Sequence, residues 1–224
     1  MTSKNIVITI DGPAGAGKSS VARGVAKRLG LSYLDTGALY RAIAYTLDKA
    51  AIPPVEGESL SATLRDLSVA LASGRVFVDG KDVTDLIRNP LVDSLASKYS
   101  ALPSVRARLL DIQREQVLGG GLVADGRDMG TVVFPLAPLK IFLTASEEVR
   151  ARRRFDELVS RGQVDVDFDS VLEDIKTRDR SDRERACSPL VEAPDSVVLD
   201  SSSLSVDQVV DRIVSLAEGA RSDD

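Results

Sequence analysis

Short apolar runs alternate along the chain with segments whose apolar residues recur every three to four positions. The runs at 5–10, 32–35, 121–125, 139–143 and 196–199 read as strands. The first, Asn5-Ile6-Val7-Ile8-Thr9-Ile10, is nearly continuous and β-branched, as expected of a strand covered on both faces. Segments near 17–29, 37–50, 104–118, 146–161, 169–180 and 206–218 read as helices. Val21, Ala22, Val25, Ala26 and Leu29 share one face of the first, and Gly30 supplies its stop. Val206, Val209, Val210, Ile213, Leu216 and Ala217 share one face of the last, and Ser205 with Gln208 reads as its capping box. This alternation predicts an α/β chain with a five-stranded parallel sheet flanked by helices.

Residues 53–101 break the alternation. Pro53-Pro54 opens the stretch, and Val76 to Val83 reads as a small hairpin turning at Asp79-Gly80. It is expected to be a lobe inserted between the second and third core strands of a single domain spanning 1–224. The tail from Ala220 to Asp224 is expected to fray.

Composition narrows the function. A chain of 224 residues, 43% hydrophobic, suits one globular domain, and with only 4% aromatics its core must be built from Val, Leu, Ile and Ala. A formal net charge of −5 argues against a general nucleic-acid or membrane-surface binder. The lone Cys187 excludes an intrachain disulfide and suits a reducing, cytoplasmic setting. Met1 to Lys4 leads into the first strand without a signal-peptide core, and no apolar run approaches membrane-spanning length. The sequence contains no histidine, which removes histidine triads, histidine metal sites and the usual neutral-pH base.

The first chemical signal lies between strand and helix. Gly12-Pro13-Ala14-Gly15-Ala16-Gly17-Lys18-Ser19 fits G-x-x-x-x-G-K-[ST] in the strand–loop–helix context that this phosphate cradle requires. Glycines let backbone N–H groups turn onto an anion, and the helix N-terminus adds partial positive charge. Lys18 is placed to reach the outer phosphates, and the Ser19 hydroxyl to ligate Mg²⁺.

Weaker signals follow later strands. Asp125-Gly126-Arg127-Asp128 ends the strand at 121–125, where open parallel sheets bind ligands; the plain alternative is a β-turn with a surface ion pair. Asp35-Thr36-Gly37-Ala38-Leu39-Tyr40-Arg41 follows the second strand, with Thr36 able to cap the next helix. Arginines cluster at Arg150, Arg152, Arg153 and Arg154, with Arg161 beyond, and again from Arg178 to Arg185. Arg150 and Arg154 are helical neighbours, as are Arg178 and Asp182. Either cluster would serve as a solvated helix face, but like charges packed this closely cost stability unless an anion sits among them. So many cations suggest more phosphates than one nucleotide carries. A phosphate monoester acceptor, with a second pKa of about 6, is mostly a dianion at pH 7 and needs no general base.

These stretches resemble the nucleoside monophosphate kinases, and most closely the bacterial cytidylate kinases. The resemblance runs from about Ile6 to Ala217, through ITIDGPAGAGKS (Ile8 to Ser19), LDTGALYR (Leu34 to Arg41), ADGRDMGTVVFP (Ala124 to Pro135), KIFLTAS (Lys140 to Ser146) and RDRSDRERACSPL (Arg178 to Leu190). The third of these is the most specific. The resemblance implies a P-loop kinase with an inserted monophosphate-binding lobe at about 53–101 and a short lid at about 150–166. It implies a monomer that transfers phosphate from ATP to CMP or dCMP with Mg²⁺, and small nucleotides as its partners. By family pattern Gly12, Pro13, Ala14, Gly15, Ala16, Gly17, Lys18, Ser19 and Ser20 cradle ATP, and Arg150 and Arg154 match lid arginines, with Arg153 a third candidate. Arg41, Arg127 and Arg185 match the acceptor-phosphate positions, with Thr36 beside them. Ser97, Arg106 and Asp128 match the cytosine-reading positions, and Arg178 and Asp182 those that meet the ribose. Lys18, Arg127, Arg178 and Arg185 are the implied catalytic set, and Ser19 the metal ligand. Ser181 stands where relatives often carry arginine, and Arg180 where they carry an acid.

Cytosine offers an amino donor where uracil offers an oxygen acceptor, so a carboxylate at Asp128 favours CMP over UMP. The competing readings are another small P-loop kinase, acting on UMP, AMP or a small alcohol such as shikimate, a regulatory ATP-binding module, and a GTPase-like switch. The last lacks the N-K-x-D segment that reads guanine. Lys18→Ala is expected to abolish phosphoryl transfer while leaving the thermal unfolding midpoint nearly unchanged, because it removes a charge partner of the outer phosphates. A near-normal kcat in that variant would contradict the phosphate-loop assignment.

Overall fold

The computed structural model describes residues 6–72, 74–163 and 165–219. In chain order its elements are β1 (Val7–Asp11), α1 (Lys18–Leu29), β2 (Ser32–Asp35), α2 (Thr36–Lys49), α3 (Glu58–Asp66), β3 (Val69–Ala72), β4 (Arg75–Val78), β5 (Lys81–Asp82), α4 (Pro90–Tyr99), α5 (Pro103–Glu115), a 3-10 turn (Gln116–Gly119), β6 (Leu122–Gly126), a π turn (Met129–Val133), β7 (Leu139–Thr144), α6 (Glu147–Ser160), α7 (Phe168–Glu184), β8 (Val197–Asp200) and α8 (Val206–Gly219). The chain forms two compact units, one from residues 1–33 and 119–224, the other from residues 34–118.

The first unit is built on a five-stranded sheet in the order β2-β6-β1-β7-β8. β1 is its centre, parallel to β6 with Ile10 opposite Asp125, and parallel to β7 with Ile10 opposite Ile141. β7 in turn pairs in parallel with β8. All these strands end on the same edge, which gathers Asp11, Gly126, Thr144 and Asp200 there and sends the loops that follow into one region. The α/β expectation and all the expected core strands are borne out.

Beneath that edge, Ile8 and Ile10 of β1 pack with Val21, Ala22 and Val25 of α1 and with Val209, Val210 and Ile213 of α8. The two helices approach closely at Gly24, where an added Cβ would lie 2.7 Å from Val210 Cγ2. α1 stops at Gly30, in the left-handed region at φ 66°, whose N–H bonds the Ala26 carbonyl. The capping box of α8 is present: Ser205 N donates to Gln208 Oε1 at 2.9 Å, and Gln208 N to Ser205 Oγ at 3.2 Å. A smaller core joins Ala14, Ala151, Leu158, Val171 and Ile175 between the loop after β1, α6 and α7. Helix α7 runs past the expected end at 180 to Glu184, because Asp179 and Asp182 are buried and ion-paired there rather than solvated.

In the second unit α2 packs on α4 and β4, and α3 on α5. The Asp79-Gly80 turn, with both φ positive, joins β4 to β5 as the sequence predicts. The sequence reading lacked β3, which completes an antiparallel three-stranded sheet, and the helices α3 and α4. Helix α4 carried a legible start, Asn89 capping Val92 N at 3.0 Å with Pro90 in the first turn. The unit takes in the 53–101 stretch together with α2 and α5. Expectations on residues 1–5, on position 164 of the 150–166 stretch and on the tail at 220–224 lie outside the described residues. Among the described residues no helix is long and apolar enough to cross a membrane.

Ile213 is fully buried in the α8 face of the core. Ile213→Ala is expected to lower stability by about 2–5 kcal/mol, read as a shifted urea midpoint at unchanged slope. A loss below about 1 kcal/mol would contradict the packing described.

Candidate active site

The loop between β1 and α1 needs its glycines. Gly12 has φ 149°, and a Cβ there would lie 2.0 Å from the Leu143 carbonyl oxygen. Gly15 has φ 74°, with a Cβ position 2.9 Å from the Arg150 carbonyl oxygen. Gly17, at φ 88°, occupies the cap position of α1 and offers no side chain to its first-turn amides. These amides and the helix dipole form an anion-binding end.

The same loop is gripped by its backbone. Ala14 N donates to Asp179 Oδ1 at 3.1 Å, and Arg150 Nη1 donates to the Ala14 carbonyl at 2.9 Å. Arg150 Nη1 also lies 2.6 Å from Asp179 Oδ2, and its Nε donates to the Ala145 carbonyl at 2.9 Å. At 3% exposed, Arg150 is a buried brace on the loop. Arg153 donates to the Ser201 carbonyl at 2.7 Å and more weakly to the Ala16 carbonyl at 3.4 Å. Arg154 pairs with Glu157 at 2.9 Å.

Lys18 and the strand-end arginines form one electrostatic cluster. Lys18 is buried, and its Nζ donates to the Pro13 carbonyl at 2.7 Å. Burial, then the neighbouring Arg127 and Arg178 guanidiniums, push its ammonium well below the usual lysine range, against the pull of Asp125 and Asp182. Arg127 Nε donates to Asp182 Oδ2 at 2.7 Å, and Arg185 Nη1 lies 3.5 Å from Asp182 Oδ1. Burial alone would raise the Asp182 carboxyl, but Arg127, Arg178 and Arg185 outweigh it and hold the group below the usual carboxylate range. Burial likewise opposes charge on Arg127, and Asp182, with Asp179 and Asp125, more than restores it. Lys18 and Arg127 thus act through space on Arg178, Asp182 and Arg185, which lie together on α7 and its C-terminal cap, far from both in sequence. The unusual Arg180 and Ser181 are exposed, so that departure faces solvent rather than the cluster.

Asp125, whose role the sequence left open, is held by both oxygens. Ser19 Oγ donates to Oδ2 at 2.7 Å, and the Tyr33 hydroxyl donates to Oδ1 at 2.9 Å. Two hard oxygen groups side by side suit Mg²⁺, which needs few protein ligands when phosphates and waters complete its shell. Tyr33 escaped the sequence reading; its only signal was a place on the strand beside β6. Asp11 escaped too. Its carboxylate accepts from Met129 N at 2.8 Å and Gly130 N at 2.7 Å, and burial, partly offset by these bonds, pushes it up to about 6. Asp128, just before this turn, is 2% exposed.

The second unit holds the other expected residues. Asp35, not Thr36, caps α2, its Oδ1 accepting from Ala38 N at 2.9 Å, because Thr36 is already the first helical residue. Arg41 Nη2 lies 3.4 Å from Asp35 Oδ1, and Nη1 lies 3.9 Å from Asp93. Arg106 is buried, its guanidinium 5.3 Å from the centre of the Tyr40 ring and its Nη1 donating to the Ser100 carbonyl at 3.0 Å. Ser97 sits on α4, half-buried, its carbonyl accepting from Ser100 Oγ at 3.0 Å.

The sequence pattern of the family described as cytidylate kinase matches residues 8–219. A cytidylate kinase of Desulfitobacterium hafniense is 48% identical over 216 residues, covering 95% of this chain and 93% of that protein. One from Pseudomonas fluorescens is 50% identical over 222 residues, covering 96% of each. Among solved structures, a gluconokinase from Sinorhizobium meliloti superposes with a TM-score of 0.52 at 16% identity, covering 98% of each chain, a likeness of fold. With the phosphate loop, the strand-end Asp-Gly-Arg-Asp and the arginine-rich α7 all falling inside a match that spans nearly the whole sequence, this chain belongs to the cytidylate kinase family.

Proposed function

We propose that this chain transfers the terminal phosphoryl group of ATP to CMP or dCMP, giving ADP and CDP or dCDP. The observation that carries the reading is the cluster of Lys18, Arg127, Arg178 and Arg185 beside the phosphate loop. Its mutual repulsion, felt most at Lys18, is relieved when phosphate oxygens enter, so charge developing on the transferred group meets partners already in place.

In this reading the loop of residues 12–20 holds the donor phosphates through Lys18 and the amides that face the anion, Pro13 having no N–H and Ala14 giving its own to Asp179. Arg150 contributes to ATP through the loop it braces, and Arg154 through its own guanidinium. Arg41, Arg127 and Arg185 hold the acceptor phosphate, with Thr36 beside it. Ser97, Arg106 and Asp128 read the cytosine, and Arg178 and Asp182 meet the ribose. A phosphate oxygen of CMP attacks the terminal phosphorus of ATP. The bond from that phosphorus to the bridging oxygen breaks, and ADP leaves with the electron pair. The nucleophile is a dianion at pH 7, so no proton need be removed, which fits a chain without histidine. Ser19, with Asp125 behind it, would hold Mg²⁺, which neutralises phosphate charge when bound. The protein's part is to fix the oxygens and exclude water.

Steady-state kinetics with ATP, Mg²⁺ and a panel of CMP, dCMP, UMP and AMP test this. The highest kcat/KM is expected with CMP or dCMP, and equal or better turnover of AMP would overturn the assignment. Asp128→Ala is expected to narrow the CMP/UMP preference by about ten- to a hundredfold, since a mismatched buried polar pair is worth about 1–3 kcal/mol. An unchanged ratio would refute the contact to the base.

A further inference from the structure

We propose that Asp179 is a positioning residue for the donor nucleotide, holding the phosphate loop and, through one peptide unit of it, Lys18. The proposal rests on that loop being the donor site of the reaction above. A loop with glycines at 12, 15 and 17, all at positive φ, has many shapes open to it, and a nucleotide that must select one of them binds more weakly. Ala14 is where side chains from outside the loop narrow that choice. Asp179 Oδ1 accepts from its N–H at 3.1 Å, and Arg150 Nη1 donates to its C=O at 2.9 Å. Ala14, Asp179 and Arg150 are all buried, so neither backbone group could turn to water without the loop opening.

The N–H that Asp179 takes belongs to the Pro13–Ala14 peptide. This unit is planar and trans, so its N–H and C=O point in opposite directions. Its C=O is the group that accepts from Lys18 Nζ at 2.7 Å. Fixing the N–H from α7 therefore aims the carbonyl on which Lys18 rests, with Asp179 on one side of the peptide and the ammonium on the other. The second carboxylate oxygen is fixed too, since Asp179 Oδ2 lies 2.6 Å from Arg150 Nη1. The helix that carries Asp179 also carries Asp182 one turn on, which accepts from Arg127 Nε at 2.7 Å. One buried carboxylate of α7 thus holds the donor loop, and the next holds a cation of the acceptor side.

The experiment compares two double variants of the full chain. Arg150→Met/Asp179→Asn removes the ion pair and keeps an acceptor for Ala14 N. Arg150→Met/Asp179→Leu removes the ion pair and the acceptor. Taking both charges away together avoids leaving either one buried and unpaired, and it keeps the net charge near Arg127 unchanged. Dissociation constants for ADP with Mg²⁺, and for CMP alone, are measured by calorimetry beside the unfolding midpoint. ADP with Mg²⁺ is expected to bind Arg150→Met/Asp179→Leu about tenfold more weakly than Arg150→Met/Asp179→Asn, the worth of one buried hydrogen bond, with CMP affinity equal in the two. Equal ADP affinity overturns the proposal. So does a matching loss for CMP, the mark of a role in the fold alone. If Arg150→Met/Asp179→Leu does not fold, Arg150→Met/Asp179→Ala decides by the same criterion. In the unaltered chain without nucleotide, slow amide exchange is expected at Ala14, and exchange at the rate of an open loop overturns the proposal whatever the variants do. An unaltered chain that binds no ADP refutes the donor site, and the role of Asp179 with it. One that binds ADP but does not phosphorylate CMP refutes the proposed reaction and leaves the ADP comparison standing.

Discussion

Packing positive charge at the carboxyl edge of a parallel sheet is the constraint from which the rest follows. Lys18, Arg127, Arg178 and Arg185 lie close enough to shift one another or their shared carboxylates. Taking such ions out of water costs several kcal/mol each unless charge partners and hydrogen bonds compensate. Asp182 is the internal counter-ion, held between Arg127 and Arg185. Asp125 and Asp179 act on the same cations, so the acids keep the cluster charged while its donors stay grouped at one edge, where the proposed reaction would bring phosphates.

The backbone around the cluster is fixed from behind. Ala14 is bonded through both its N–H and its C=O, by Asp179 and Arg150 respectively. Asp125 is tied to Ser19 and Tyr33, and Asp11 to the turn after β6. Each tie joins an element close in space and distant in sequence to the loop or strand end that carries chemistry. In the proposed reaction a site so braced would need little reorganisation at the moment of transfer, and such preorganisation is where most of the rate enhancement in phosphoryl transfer arises.

The central strands were legible because they are covered on both faces and so read as nearly continuous apolar runs, as at Val7 to Ile10 and, interrupted by Lys140, at Leu139 to Leu143, whereas the edge strands β2 and β8 are partly exposed. The phosphate loop was legible because its glycines are demanded by backbone contacts, such as Gly12 against Leu143, that no other residue tolerates. The second unit was read less fully. Its strands are short, as at Val69–Ala72, and its helix α3 shows only Leu60 and Leu64 as fully buried positions. Among site residues, the arginines were found by charge density, but their division of labour was not. Nothing in the local sequence distinguishes Arg150, which braces a backbone, from Arg154, one helical turn on, which pairs with Glu157 near solvent. Asp11 and Tyr33 were missed because each looks ordinary on its strand, and their work is done on residues more than ninety positions away.

The central claim is that this cationic cluster is completed by nucleotide phosphates. A crystal structure of the chain with CMP and with ADP and Mg²⁺ tests it most directly. The account predicts phosphate oxygens within hydrogen-bonding distance of Lys18, Arg127 and Arg185, with the Arg127–Asp182 pair loosened or shared with the ligand. Nucleotide bound elsewhere, with all three cations still engaged as they are without it, would contradict the account.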